Sequence, residues 1–164
     1  MEMTTEEVAL AASVVFAGLW SGLLGMLSLV MHRMLSAMSG PDFELFLRAF
    51  LPVARRASFN YLCAIGMAVA PLVALVHLRH EAGSAAFILT AVGLVIVIGG
   101  VYVVSNVWKE PLYDVMLTWD PEAMPTDWRD GRRRYFTINW IQTAATWTVF
   151  LLFLLALIAA SRGQ

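Results

Sequence analysis

Residues 135–160 read YFTINWIQTAATWTVFLLFLLALIAA, and the two halves of this stretch ask for different surroundings. From Val149 onward, twelve consecutive residues carry no hydrogen-bonding side chain. The first half places Asn139, Gln142 and Thr143 inside the same run. About 20 mainly apolar residues are needed to cross the hydrocarbon of a bilayer, and this stretch reaches that length only with its amides included. A polar group left unpaired in lipid costs several kcal/mol. The stretch therefore predicts a membrane-spanning helix with one polar side turned inward, towards partners on other helices.

Composition agrees. The 164 residues are 60% hydrophobic and 14% charged, with a mean hydropathy of +0.72, well outside the range of soluble domains. Four segments have the length and character of membrane spans, at about 8–31, 58–78, 84–107 and 136–160. Their connections are too short to hold a second core, so the expectation is an all-α integral membrane four-helix bundle forming one domain over 1–164. The first segment is read as a mature helix and not as a signal peptide. Its amino end carries Glu2, Glu6 and Glu7 with no basic residue, its apolar run is too long, and no Ala-x-Ala cleavage site follows. The single Cys63 lies in an apolar run and reads as a small buried hydrophobe. A net charge of −1 gives no argument for nucleic acid.

Charge placement predicts orientation, because Lys and Arg are retained on the cytoplasmic side in short loops. Of eleven basic residues, Arg33, Arg48, Arg55 and Arg56 fall between the first two spans, and Lys109, Arg129, Arg132, Arg133 and Arg134 between the last two. Only Arg79 and Arg162 lie opposite. Loops 32–57 and 108–135 are thus expected in the cytoplasm, with both termini outside, as in a bacterial inner membrane, and with Trp108 and Trp128 as interfacial anchors. Arg132, Arg133 and Arg134 read most simply as topology signals touching anionic headgroups. The first loop is amphipathic: Asp42 is a candidate N-cap, and Phe43, Phe46, Leu47 and Phe50 recur at helical spacing, so a short helix over 42–53 should lie on the bilayer or across the bundle mouth. The second loop, with three prolines, reads as mostly irregular.

Within the spans, Ala17, Ser21, Gly25, Ser28 and His32 form a small-residue packing stripe on span one. Pro71 predicts a local bend in span two. Gly93, Gly99 and Gly100 suggest close approach of another backbone to span three.

Placed by depth, the polar residues gather at one end. His32 closes span one, and Asn60 with Tyr61 opens span two. Gly99, Tyr102 and Asn106 share a face near the end of span three, while Asn139, Gln142, Thr143 and Thr146 enter with span four. Two readings stay open. One is interhelical pairing, on the order of 0.6 kcal/mol for each pair; the other is a polar, aromatic-lined pocket of the kind that marks function in a membrane bundle. In the pocket reading Asn60, Tyr102, Asn106, Asn139, Trp140, Gln142 and Thr143 bind a substrate. His32, whose ordinary pKa lies near neutrality, is then the one candidate base.

His77 and His80 at the opposite end lack the further ligands a metal site needs, so no metal and no cofactor are expected. No Asp or Glu lies inside the spans, which argues against proton-coupled transport.

Three stretches carry a family resemblance: GLWSGLLGMLSLVMHRML (18–35), NVWKEPLYDVMLTWDP (106–121) and WRDGRRRYFTINWIQTAA (128–145). Their order resembles the anthrone-oxygenase-like family of four-helix integral membrane proteins, whose bacterial members are mostly of unknown function. The family's Trp-Asn-His-x-Arg-Thr pattern is matched by Asn139 and Thr143, with Ile138, Trp140 and Gln142 at its Trp, His and Arg positions. Its Asn-aliphatic-Pro-Leu-Asn pattern begins with Asn106 and Val107, while Pro111 and Leu112 come later and Tyr113 or Asp114 stands at the second Asn. The resemblance implies oxidation of a small hydrophobic or aromatic substrate without a metal or flavin, held between Trp20, Trp140 and Tyr102. The alternative is a non-catalytic subunit or assembly factor packed against a larger membrane complex, or a homo-oligomer. The small-residue stripe and the glycines motivate it.

Overall fold

The structure, a computed structural model, describes residues 4–162. Five helices make up its architecture among these residues: α1 (Thr5–Ala37), α2 (Gly40–Arg56), α3 (Ser58–Glu81), α4 (Ala85–Met116) and α5 (Trp128–Arg162). All except α2 are long and apolar enough to cross a membrane. They stand antiparallel in a ring, with α1 between α3 and α5, and α4 closing the ring against α5 and α3. One end of the bundle carries both long connections; the other carries the termini and the short α3–α4 turn.

Local chemistry sets the starts. Thr4 and Glu7 form a reciprocal capping box on α1, with Thr4 N–H donating to the Glu7 carboxylate at 3.0 Å and Glu7 N–H to the Thr4 hydroxyl at 3.4 Å. Ser84 caps α4 by accepting from Phe87 N–H at 3.2 Å. Ser39, and not Asp42, caps α2: its hydroxyl accepts from Asp42 N–H at 3.3 Å and itself donates to the Asp42 carboxylate at 2.6 Å. Pro41, fixed near helical φ, then occupies the first turn, where its missing N–H costs nothing.

The outer surface of the four long helices is apolar: Val15, Leu23, Ile65, Val69, Val95 and Leu155 are all exposed. Beneath it the core forms three layers. Small residues (Ala9, Ala74, Ala86, Ala156) pack with Leu10 and Leu78 near the termini. Ala17, Met67, Val97, Val101, Val149 and Phe153 fill the middle. At the loop end, α2 lies across the bundle mouth and inserts Phe43, Leu47 and Leu51 against Leu35, Tyr113, Met116 and Tyr135.

Several glycines are seats for aromatic rings. A Cβ on Gly66 would stand 2.4 Å from the Phe16 ring, and one on Gly93 2.5 Å from that of Phe153. Gly100 meets the Ala145 methyl, whereas Gly99 faces open space; what stands against Gly93 and Gly100 is a side chain and not the neighbouring backbone expected from the sequence. The helix runs unbroken through Pro71, whose ring is buried.

Two differences from the expected layout share a cause. α4 continues beyond 107 to Met116, and α5 starts at Trp128, eight residues before 136. The second connection is therefore shorter than expected, running over 117–127, and it carries an isolated bridge between Asp120 and Ala123. The extensions are held by cations that the sequence reading gave to topology or headgroups. Arg55 pairs with Glu110 and Asp114, both at 2.7 Å, joining the end of α2 to α4. Burial opposes its charge, but the hydrogen bond to Asp114 and the field of Glu110 outweigh this and hold its pKa above the ordinary value. Arg132 donates to the carbonyls of Leu35 at 3.2 Å and Met38 at 2.9 Å, satisfying the end of α1, and lies over the rings of Phe43 and Trp128. Trp128 is itself half-buried, its ring 2.9 Å from where a Cβ on Gly40 would be.

Candidate functional site

Three stretches are wound as π-helix, with i→i+5 hydrogen bonds: Met26–Met31 in α1, and Val97–Val103 and Ser105–Lys109 in α4. Such wide turns disturb the regular side-chain order and recur at functional sites. Here they flank a polar layer between the middle core and the loop-end core.

α5 supplies most of that layer. Asn139, Gln142, Thr143 and Thr146 are all buried on its inner face, as their spacing predicts. Thr143 shares a 2.8 Å hydrogen bond with Ser28, and its hydroxyl lies 3.3 Å from the Leu24 carbonyl beside the π-turn of α1. Gln142 donates to the Ser105 hydroxyl at 2.7 Å and to the Val101 carbonyl at 3.2 Å. Its oxygen accepts from the Lys109 ammonium at 3.0 Å. Asn139 donates to His32 Nε2 at 3.2 Å. Further along, Trp147 Nε1 donates to the Ser21 carbonyl at 3.0 Å. Donors on α5 thus meet carbonyls and hydroxyls presented by α1 and α4.

His32 is 6% exposed and ringed by aromatics. It stacks on Phe136 at 4.2 Å and stands edge-on to Trp140 at 6.3 Å, with Tyr135 at 6.0 Å. An amide N–H donating to Nε2 puts the neutral imidazole's proton on Nδ1. Nδ1 and the Tyr135 hydroxyl are buried without a partner among the described residues. One wall of His32 borders a groove of about 400 Å³ that opens sideways between α1 and α5, lined also by Ser28, Arg33, Ser36, Phe136 and Trp140.

The structure divides the residues singled out from the sequence. His32, Asn139, Gln142 and Thr143 come together, with Trp140, 45% exposed, at the mouth of the groove. Asn60 does not join them: its amide donates to the Ala54 carbonyl at 2.8 Å and ties off the end of α2. The Tyr102 hydroxyl donates to the Ala64 carbonyl and clamps α4 to α3. Asn106 is exposed and donates back to Tyr102 O at 2.8 Å. Trp20 packs in the middle core layer. The reason is helical winding: the shared face of Gly99, Tyr102 and Asn106 assumes a regular α-helix, whereas the π-turns bring Val97, Val101, Ser105 and Lys109 round to the inside. Ser105 and Lys109 were the residues missed. Their signal is a four-residue recurrence from Gly93 through Val97 and Val101, which a wide turn keeps on one face.

At the opposite end, His77 bonds the Val73 carbonyl of its own helix, at 3.0 Å. Among the described residues no three His, Cys, Asp or Glu side chains gather as metal ligands.

The fold and the polar layer define a class: a multi-pass, all-α membrane bundle with a lateral groove at one end. Against protein-family models, curated proteins and solved structures, this chain has no match.

Proposed function

We propose that the groove beside His32 receives a small hydrophobic or aromatic molecule from the bilayer, and that the protein is an oxidoreductase of the anthrone-oxygenase-like kind. The observation that carries this is His32 itself: a nearly buried imidazole, oriented by Asn139 and stacked on an aromatic ring, at the wall of an open groove. Pairing within the bundle accounts for Thr143 and Gln142. It does not account for an imidazole whose ring forms part of the wall of an open groove.

In this reaction His32 removes the acidic C–H proton of an anthrone-like substrate. The resulting anion reacts with O2, leaving one oxygen as the new carbonyl and the other as water. Proton transfer to a positioned side chain contributes roughly 100-fold or more. Accepting at Nε2 requires the Asn139 amide first to release that nitrogen and make way for the substrate C–H, and then to return with its oxygen towards the new N–H. Asn139 is thereby a positioning residue with two settings.

The nine basic residues of the loop end support its placement in the cytoplasm and the termini outside, in a bacterial inner membrane. Cysteine introduced at Ser84 and, separately, at Thr126 tests this: only Ser84→Cys should label from the periplasmic side.

Oxygen uptake by the purified protein, presented with anthrone and hydroxylated anthrones, tests the reaction. Turnover that falls about 100-fold in His32→Ala, in protein that still folds, is the expected result. Wild-type protein that consumes no oxygen with any of these compounds contradicts it. A specific observation favours the competing role of a non-catalytic subunit: the Ser28–Thr143 and Lys109–Gln142–Ser105 links close on themselves. Recovery of a stable larger complex in mild detergent, with no oxygen uptake, selects that role.

A further inference from the structure

The groove beside His32 does not stop at Trp140. A second recess, about 150 Å³, continues along the same seam between α1 and α5, bordered by Thr143, Ala144 and Trp147. Leu29 and Trp140 wall both spaces. From Phe136 to Trp147 the α5 axis advances about 16 Å at ~1.5 Å per residue. Trp147 is held in place beside the recess: its ring lies 3.2 Å from where a Cβ on Gly25 would be, and its Nε1 is anchored on the Ser21 carbonyl.

The chemistry of the seam changes along its length. At the loop end stand Arg33, Ser36 and His32; towards Trp147 the walls are apolar. Arg33 is exposed and, like most of the arginines, has no carboxylate within 4.0 Å among the described residues; what sets it apart is its place on the groove wall. His32 adds a nearly buried side chain whose Nδ1 has no partner among the described residues. A guanidinium without a counter-charge is suited to bidentate pairing with a carboxylate or phosphate. The apolar continuation suits what such a head would carry.

We propose that this seam binds a bilayer-resident amphipath, with its single anionic headgroup, a carboxylate or phosphate ester, at Arg33 and one flat or unbranched tail laid over Trp140 towards Trp147. The inference rests on reading the groove as a ligand site, and it does not depend on any reaction there. A headgroup at Arg33 leaves the first part of the tail against His32 and Phe136. That portion of the ligand is the one placed for chemistry.

The test is tryptophan quenching by 9,10-dibromostearate in nanodiscs of neutral phosphatidylcholine, since bromine quenches on contact. Saturable quenching is expected, most of it lost in the Trp140→Phe, Trp147→Phe double variant. Arg33→Gln should weaken it about 10-fold, equivalent to ~1.4 kcal/mol, and Arg33→Lys should retain most of it. The methyl ester should quench without saturation, and inorganic phosphate should not displace the acid. Equal affinity for ester and acid, or an unchanged affinity in Arg33→Gln, overturns the proposal. Displacement by inorganic phosphate also overturns it, by moving the site to a soluble anion. Saturable binding of the acid together with no oxygen uptake from anthrones upholds this inference and removes the oxidation reading.

Discussion

The two halves of the bundle use opposite means to hold the same four helices. Near the termini α1, α3, α4 and α5 approach through alanines, and polar side chains there bond only their own helix: Ser13 to Ala9 O at 2.8 Å and Thr90 to Ala86 O at 2.7 Å. Towards the loops, π-turns widen α1 and α4, and side-chain hydrogen bonds cross between helices. The first half is a close-packed seal. The second gives up packing regularity for directional contacts and keeps a groove open beside His32. Helices that only needed to associate could have repeated the first half throughout, so the second half is where function is to be sought.

The comparison breaks most visibly where packing is tightest. Gly66→Leu drives a side chain into the Phe16 ring, and overpacking of this kind costs about 3 kcal/mol. The loss should be read in unfolding by sodium dodecyl sulfate from mixed micelles, and the same change at Gly99, which meets nothing, should be close to neutral. Equal losses at both positions would remove the distinction between seated and open glycines.

In the polar half the larger expected effect is at Gln142. Gln142→Leu strips Lys109 of its acceptor, and a hydrogen bond to a charged group contributes about 2 kcal/mol. Lys109→Met should recover much of that loss when combined with Gln142→Leu, because no charge is then left without a partner. Additive losses would mean that the two side chains do not act as a unit.

These two tests also separate what the sequence made legible from what it did not. Four apolar spans, their antiparallel order and the inward face of α5 follow from length and a 3.6-residue period, and the structure has them. The amphipathic pattern of Phe43, Phe46 and Leu47 announces α2, although its cap is Ser39 because that hydroxyl, one residue before the helix, reaches Asp42 N–H. The inner face of α4 was not legible from a regular period. Two π-turns rotate it, replacing Tyr102 and Asn106 by Ser105 and Lys109. Asn60 looked like a site residue by depth alone, but it lies beside the end of α2 and satisfies a backbone carbonyl there. Depth along an axis does not say which way a side chain faces.

The smallest effect is expected at the rim. Arg55→Gln removes two ion pairs, yet Asp114 is largely and Glu110 partly exposed, with 72% and 39% of their side-chain surface accessible. Solvent screening reduces their worth to about 0.5 kcal/mol. The change should be weaker still at high salt. A loss comparable to that of Gln142→Leu would make the clasp between α2 and α4 part of the core.

The central claim, that the loop half holds a site and not only interhelical pairing, is tested most directly by an experimental density map of the protein in lipid nanodiscs, purified without added ligand. The account predicts an open seam between Leu29, His32 and Trp140 with density for a flat or single-chain molecule along it. A seam closed by Trp140 and Phe136 folded over His32, with the polar layer bonded only to itself, would contradict it.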